Sequence, residues 1–385
     1  MYMPIHVLQI TGDPVGGIRN HVHSILRHLD RRIFVQSYAY STTAQDKAFL
    51  SEIDEIKAQI LGVVPMRIPK KPHLVDALNI LKLVRYVRSN HVDLIHGHGA
   101  KGGLYARIVA RLTGVRAVYT PHGGVVHDMF PKTERMLYAA VEKWLGRFTD
   151  MFIFESAYSA DAYCNLVRKT PPHWVINYNG ILSREPMRFV DGNFSAPALS
   201  RLDTGAVTNI GVFGTLRAQK GQVFAIRAAA VLLARGVPVR LHLFGDGPDL
   251  TRLQEEANSV GSNIVRFHGD VTKVEDWMTR MEFIVIPSLY ESFGYVAVEA
   301  MMLGKPIVAT NVGGLREVLG PDAAILVPPG NPGAIADALG EYMQNPSLAE
   351  NLARHGHERY LELFTLDRMI GSLAVRYQSL VAGHS

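Results

Sequence analysis

The chain has 385 residues, 48% hydrophobic and 19% charged, which is the composition of a soluble globular protein and a length that suits two cores better than one. Its single cysteine, Cys164, excludes an intrachain disulfide and fits a reducing compartment. No apolar run approaches the roughly 18 residues needed to span a bilayer, which excludes an integral membrane protein.

The net charge of +5 divides unevenly. Residues 1–190 hold 24 Lys and Arg against 15 Asp and Glu, whereas residues 191–385 hold 16 against 20. A basic front half suits an anionic partner such as nucleic acid, a membrane surface or a phosphorylated acceptor. It also fits a solvated surface with some excess arginine.

The opening MYMPIHVLQITG reads as a strand and lacks the basic, apolar and cleavage regions of a signal peptide, so a cytoplasmic location is expected. Strand-like and helix-like runs then alternate. HVLQIT (6–11) precedes GGIRNHVHSILRHL, and DLIHGH (93–98) precedes GGLYARIVARLTG. AVYTPHG (117–123) precedes PKTERMLYAAVEKWLGRF, and MFIFES (151–156) and HWVINYNG (173–180) complete a first set. Short β-rich runs separated by longer helical patterns predict a parallel sheet with helices on both faces.

From Leu182 to Thr208 no period is sustained, and Pro, Gly, Ser and charges are scattered, as in an interdomain connection. The alternation restarts with NIGVFGT (209–215), a helix from Gly221 to Arg235, and VRLHLFG (239–245). It continues through IVRFHG (264–269), FIVIPS (283–288), PIVATN (306–311) and AAILVP (323–328), and ends in a helical tail from Pro332. The expected organisation is an α/β chain of two doubly wound parallel-sheet domains facing across a cleft. The boundaries are residues 1–185 for the first, 186–207 for a linker, and 208–365 for the second, with a final helix over 366–385 returning to the first. Ligands in such sheets bind at the C-terminal strand ends.

Two carboxylates stand out in that setting. Glu291 follows the strand FIVIPS, and Glu299 lies eight positions on, among Val298, Ala300 and Met301, where a carboxylate needs a partner. The segment ESFGYVAVEAMMLGKPIVATNVGGLREV resembles the signature of retaining glycosyltransferases of the GT-B fold, closest to glycosyltransferase family 4. The resemblance extends to the N-terminal Gly-Gly loop, the TPHG turn, the GTLRAQKG loop and LHLFGDGP, and so covers nearly the whole chain. The paired-glutamate segment is specific; each other piece alone is a weak signal.

A transferase using a nucleotide sugar must stabilise negative charge on the departing diphosphate. The chain contains no Asp-x-Asp pair to hold a metal for that purpose. Helix N-terminal N–H groups and basic side chains are the alternative. Ser292, Phe293, Gly294 and Tyr295 open a helix at a strand end, and Arg217 and Lys220 lie three apart in a strand-end loop. The resemblance implies that these contact the diphosphate, that Glu299 clamps the ribose hydroxyls, and that Glu291 lies near the transferred sugar without acting as a covalent nucleophile. It also implies that His122 bonds a donor-sugar hydroxyl, that the Gly17 loop borders the donor phosphate and the acceptor, and that Gly269 lies where the base is held through backbone groups.

His96 and His98 end the strand before His122, as ordinary loop histidines or acceptor ligands. Their spacing fits no common zinc signature, and no metal site is expected. Gly12, Gly16 and Gly17 do not have the spacing of a dinucleotide fingerprint. The chain departs from the family at Leu182, where an acid is usual after Asn-Gly-Ile, and at Ala218-Gln219, where Pro-Glu is frequent.

The expectation is a metal-independent retaining transferase with no cofactor, using a UDP- or GDP-linked donor and a glycan or polyprenyl-diphosphate-linked acceptor in cell-surface or exopolysaccharide synthesis. Two basic clusters motivate a peripheral association with anionic membrane: Arg67, Lys70, Lys71, Lys82, Arg85 and Arg88, then Lys132, Arg135, Lys143 and Arg147. No stacking platform or recognition motif accompanies them, so nucleic acid is not the expected partner. The competing readings are a sugar-nucleotide epimerase of similar architecture, a glycosidase using the glutamates as acid and nucleophile, and an inactive sugar-nucleotide-binding protein.

Overall fold

The computed structural model describes residues 3–43, 45–69, 71–123, 132–183, 189–190, 193–194, 207–261 and 264–383. Lys70 and most of the expected linker lie outside them. The chain forms two compact units, one of residues 1–180 and 366–385 and the other of residues 181–365. Among the described residues, no helix is long and apolar enough to cross a membrane.

The first unit is a seven-stranded sheet of β1 (Ile5–Thr11), β2 (Phe34–Ser41), β3 (Gly62–Met66), β4 (Leu94–His98), β5 (Arg116–Thr120), β6 (Met151–Phe154) and β7 (Trp174–Ile176). Every pairing is parallel, in the order β3-β2-β1-β4-β5-β6-β7, so the winding reverses between β1 and β4. The helices are α1 (Gly16–His28), α2 (Lys47–Lys57), α3 (Val75–Ser89), α4 (Gly99–Thr113), α5 (Lys132–Leu145) and α6 (Ala157–Val167). The strand-and-helix pair β2 and α2, and the strand β3, carry no clear sequence signal. FVQSYAYS is buried along nearly its whole length despite its polar residues, because Gln36 bonds the Ile25 and Leu26 carbonyls and Ser37 bonds His6.

Arg107 on α4 and Glu142 on α5 form a buried bidentate pair at 2.7 and 2.9 Å, with the guanidinium 3.9 Å from the Tyr119 ring centre. One sheet face is closed by the last helix, whose Leu366, Met369, Leu373 and Tyr377 pack with Val7, Phe34, Leu94, Val118 and Ile153.

The second unit contains a two-residue antiparallel pair, β8 (Phe189–Val190) with β9 (Asn193–Phe194), and a six-stranded parallel sheet. The strands of that sheet are β10 (Thr208–Phe213), β11 (Val239–Phe244), β12 (Val265–Phe267), β13 (Phe283–Ile286), β14 (Ile307–Thr310) and β15 (Ile325–Val327). Their order is β12-β11-β10-β13-β14-β15, which reverses between β10 and β13. Around it lie α7 (Gln222–Ala234), α8 (Leu250–Val260), α9 (Val274–Met278), α10 (Tyr295–Met302), α11 (Gly313–Leu319), α12 (Pro332–Gln344) and α13 (Pro346–Leu363), and α14 (Leu366–Ala382) is the helix returned to the first unit. The core joins α7 and α12 to one sheet face through Ala225, Ile226, Ala229, Leu232, Ile335 and Leu339. These two helices approach closely because alanines fill the contact.

Candidate functional site

A doubly wound sheet opens a crevice at the strand ends where its order reverses. In the second unit that point lies between β10 and β13, and the loops leaving those strands carry the residues singled out by sequence. The loops are tied together by backbone. The Leu289 N–H donates to the Gln219 carbonyl at 2.7 Å, and the Gly314 N–H donates to the Glu291 carbonyl at 2.9 Å. Gly221 has φ +65°, and a Cβ there would stand 2.0 Å from the Pro287 carbonyl oxygen. At Gly314 a Cβ would stand 1.9 Å from the Ser292 carbonyl oxygen. Gly313 and Gly314 therefore open α11 (Gly313–Leu319), with Gly314 serving as the seat for the Glu291 loop.

Lys220 crosses between the loops. Its Nζ donates to Glu291 Oε2 at 2.5 Å, with the lysine one-third exposed and the glutamate mostly buried. The expected diphosphate and sugar ligands thus meet directly. Arg217, three residues before, is exposed and has no acidic partner among the described residues. Helix α10 begins at Tyr295 behind Gly294 and directs its first N–H groups to the same end of the sheet. Ser292 lies in the loop ahead of it. The Phe293 side chain packs inward, its ring 5.6 Å from Tyr295 and 5.8 Å from Phe364, so only its backbone is placed to meet a ligand.

Glu299 is one turn into α10. Its carboxyl makes no hydrogen bond among the described residues. Loss of solvation, with a smaller contribution from Glu275, pushes its pKa up to about 7. A partly desolvated carboxyl without donors can accept hydrogen bonds from hydroxyl groups. Gly269 follows β12 with φ +65°, and its carbonyl accepts from the Gly245 N–H at 2.8 Å. Beside it, His268 stacks on Phe244 at 4.4 Å, and Phe244 stacks on Phe213 at 4.4 Å.

In the first unit the order reverses between β1 and β4, and histidines gather there. His122 follows β5 at φ +51°, and its Nε2 is 3.1 Å from His98 Nδ1. His96 and His98 are strand residues, not loop residues, and both are buried. His96 is held by Tyr377 at 2.5 Å and Thr120 at 2.8 Å. His98 Nε2–H donates to Gln9 Oε1 at 2.9 Å. Burial pushes the pKa of His96, His98 and His122 well below the ordinary value, and that of His21 to about 4, so all four imidazoles are neutral at pH 7.

His21, from α1, completes the group, with ring centres 4.9 Å from His122 and 5.4 Å from His98. Sequence reasoning passed it over because it comes from a helix more than seventy positions upstream. Its signal was a histidine at an otherwise apolar position of GGIRNHVHSIL. Gly17 lies in the first turn of α1. The N–H of Gly16 donates to Asp46 Oδ2 at 3.1 Å, so a carboxylate of the chain takes one of the donors at this helix start.

Known proteins resemble this chain over most of its length. Residues 207–345 match the family described as Glycosyl transferases group 1, and residues 15–182 match that described as Glycosyltransferase Family 4. An uncharacterised glycosyltransferase of Methanocaldococcus jannaschii is 23% identical over 373 residues, covering 95% of each chain. A D-inositol 3-phosphate glycosyltransferase of Streptomyces scabiei is 26% identical over 317 residues, covering 77% of this chain and 70% of its own. Among solved structures, Anabaena HepE in complex with UDP and glucose superposes with a TM-score of 0.79 at 21% identity, over 98% of this chain and 100% of that one. The two matched families, the two parallel sheets and the loops at their reversal points lead to one conclusion: the chain belongs to the GT-B glycosyltransferases of the group 1, family 4 type.

Proposed function

We propose that this glycosyltransferase moves a sugar, with retention of anomeric configuration, from a nucleoside diphosphate donor to a glycan or polyprenyl-diphosphate-linked glycan, without a metal. The observation that carries the reading is Glu299: a half-buried, donorless carboxyl one turn into α10, the helix that follows the Glu291 loop. Ribose hydroxyls would supply the missing donors. The N–H groups opening α10, Arg217 and Lys220 would carry the diphosphate charge as the glycosidic bond breaks. Lys220 aims Glu291 through their hydrogen bond, and a diphosphate would compete for the same ammonium. Glu291 would then bind sugar hydroxyls and stabilise positive charge at the anomeric carbon. The complex of Anabaena HepE with UDP and glucose favours a uridine donor.

The test is thermal unfolding with UDP, GDP or ADP in EDTA, followed by product analysis. A ligand at 100 times its Kd stabilises by about 2.7 kcal/mol. One nucleotide should raise the transition, and Glu299→Ala should abolish the rise. Conversion of the donor with no acceptor present would instead indicate an epimerase.

Association with anionic membrane is supported by apolar residues exposed among the bases. Leu74, Leu78 and Leu81 are 88%, 66% and 58% exposed near Lys71, Lys82 and Arg85. Met136, Leu137 and Trp144 are 73%, 60% and 49% exposed near Lys132 and Lys143. A lipid-linked acceptor would be met at such a surface.

A further inference from the structure

The histidines of the first unit have an arrangement that sugar binding does not require. His21, His98 and His122 each offer a ring nitrogen, and these three atoms lie within 4.8 Å of one another. We propose that they form a binding site for a late first-row divalent metal, Zn²⁺ foremost, with three imidazole ligands and a fourth position left to solvent or an incoming group.

Four observations carry it. First, the donor set suits the ion. Imidazole favours Zn²⁺, Co²⁺, Ni²⁺ and Cu²⁺ over Mg²⁺ and Ca²⁺, which take oxygen ligands. Three histidines with an open position are an established zinc arrangement.

Second, one ligand is fixed in the required tautomer. The Nε2–H of His98 donates to Gln9 Oε1 at 2.9 Å, which leaves the lone pair on Nδ1, the atom facing His122. Gln9 is held in turn: its Nε2 donates to the Tyr377 hydroxyl at 3.4 Å, and that hydroxyl is hydrogen-bonded to His96 Nδ1 at 2.5 Å. This is the outer hydrogen-bonding shell that orients metal-ligating histidines.

Third, His21 is 2% exposed, and neither of its ring nitrogens has a hydrogen-bond partner. Asn179 lies close enough to favour its charged form but not in bonding geometry, and Asn179 Oδ1 is itself buried without a partner. Buried imidazole nitrogens are costly to leave unpaired, and a metal would satisfy one.

Fourth, the spacing is near that of a bound ion. Nitrogens around tetrahedral zinc are about 3.3 Å apart, as follows from Zn–N distances near 2.0–2.1 Å. The His98–His122 pair is already at 3.1 Å. His21, which no hydrogen bond restrains, is the ligand left to close the remaining gap. His96 is not a ligand, since Tyr377 and Thr120 occupy both of its nitrogens.

The test uses the full chain without a polyhistidine tag, stripped with chelator and titrated with Co²⁺. Three nitrogens and a solvent oxygen in a tetrahedron give intense visible absorption. The expected result is saturation at one Co²⁺ per chain and displacement by one Zn²⁺. Affinity should fall at least tenfold in His21→Leu and in His98→Gln, and be unchanged in the exposed His28→Ala. His21→Leu removes no hydrogen bond, so it should keep the native far-ultraviolet dichroism and cooperative unfolding that make its result readable. Absence of the tetrahedral bands in the unaltered protein, or equal Co²⁺ affinity in folded His21→Leu, would overturn the assignment. The readout needs no turnover, so failure of the proposed transferase reaction would leave it standing.

Discussion

Glu299 shows how far one side chain's state can be derived. Its folded pKa of about 7 lies above the ordinary 4.5, so between those values the folded chain holds a proton that the unfolded chain has released. Stability therefore falls as pH rises from 4.5 to 7, and the penalty is complete above 7. Glu299→Gln should raise the apo protein's stability at pH 8 by about 1 to 3 kcal/mol and change it little at pH 4.5; equal gains at both pH values would refute the raised pKa. Ribose hydroxyls favour the carboxylate, so nucleotide affinity should weaken as pH drops below 7, and calorimetry in two buffers should show proton release on binding. The Lys220–Glu291 pair predicts a different signature. Lysine is one-third exposed, so Lys220→Met should cost at most about 1 kcal/mol of stability. The same change should lower kcat by roughly 100-fold or more, if charge on the departing diphosphate is stabilised there. His122 serves both the proposed sugar contact and the proposed metal. Added Zn²⁺ should lower transfer and EDTA restore it, whereas an unchanged rate at saturating Zn²⁺ would remove His122 from the sugar.

At the level of elements, the seats of the loops decide more than the loops themselves. Gly221→Ala would add a Cβ at φ +65° and 2.0 Å from a backbone oxygen, so it should destabilise the second unit by about 2 kcal/mol or more and loosen Glu291 with it. Calorimetry on the variant checks this. The Arg107–Glu142 pair joins α4 to α5, and Glu142→Ala should cost about 3 to 5 kcal/mol, because it leaves a buried guanidinium unpaired. The sequence displayed most of these elements. Alternating β-rich and helical runs revealed β1, β4, β5, β6, β7 and the whole second sheet, and the paired glutamates pointed to the reversal between β10 and β13. It hid β2 and β3, whose burial depends on polar residues finding partners across the fold. It also hid the grouping of His21 with His98 and His122, which only the winding of three elements brings together. That Lys220 pairs with Glu291 and that Glu299 lacks donors are facts of distance, and no spacing along the chain encodes them.

Across the whole molecule, the basic and apolar residues of α3 and α5 predict a surface property. The protein should sediment with vesicles containing phosphatidylglycerol and not with phosphatidylcholine alone, with binding weakened by salt, since each basic residue near such a surface contributes about 1 kcal/mol. Lys132→Glu with Lys143→Glu and Trp144→Ala should release it; equal binding to neutral vesicles would refute an electrostatic contribution. The return of α14 to the first unit has a consequence for how the protein is made. On the ribosome, residues 181–365 are complete before the helix that finishes the first sheet exists. At about 5 to 20 residues per second, roughly 10 to 40 s separate Gly180 from Leu366. Throughout that interval Val7, Phe34, Leu94, Val118 and Ile153 lack the side chains that cover them in the finished protein. The unit that begins first thus finishes last, and its nascent apolar face is the natural client for a chaperone.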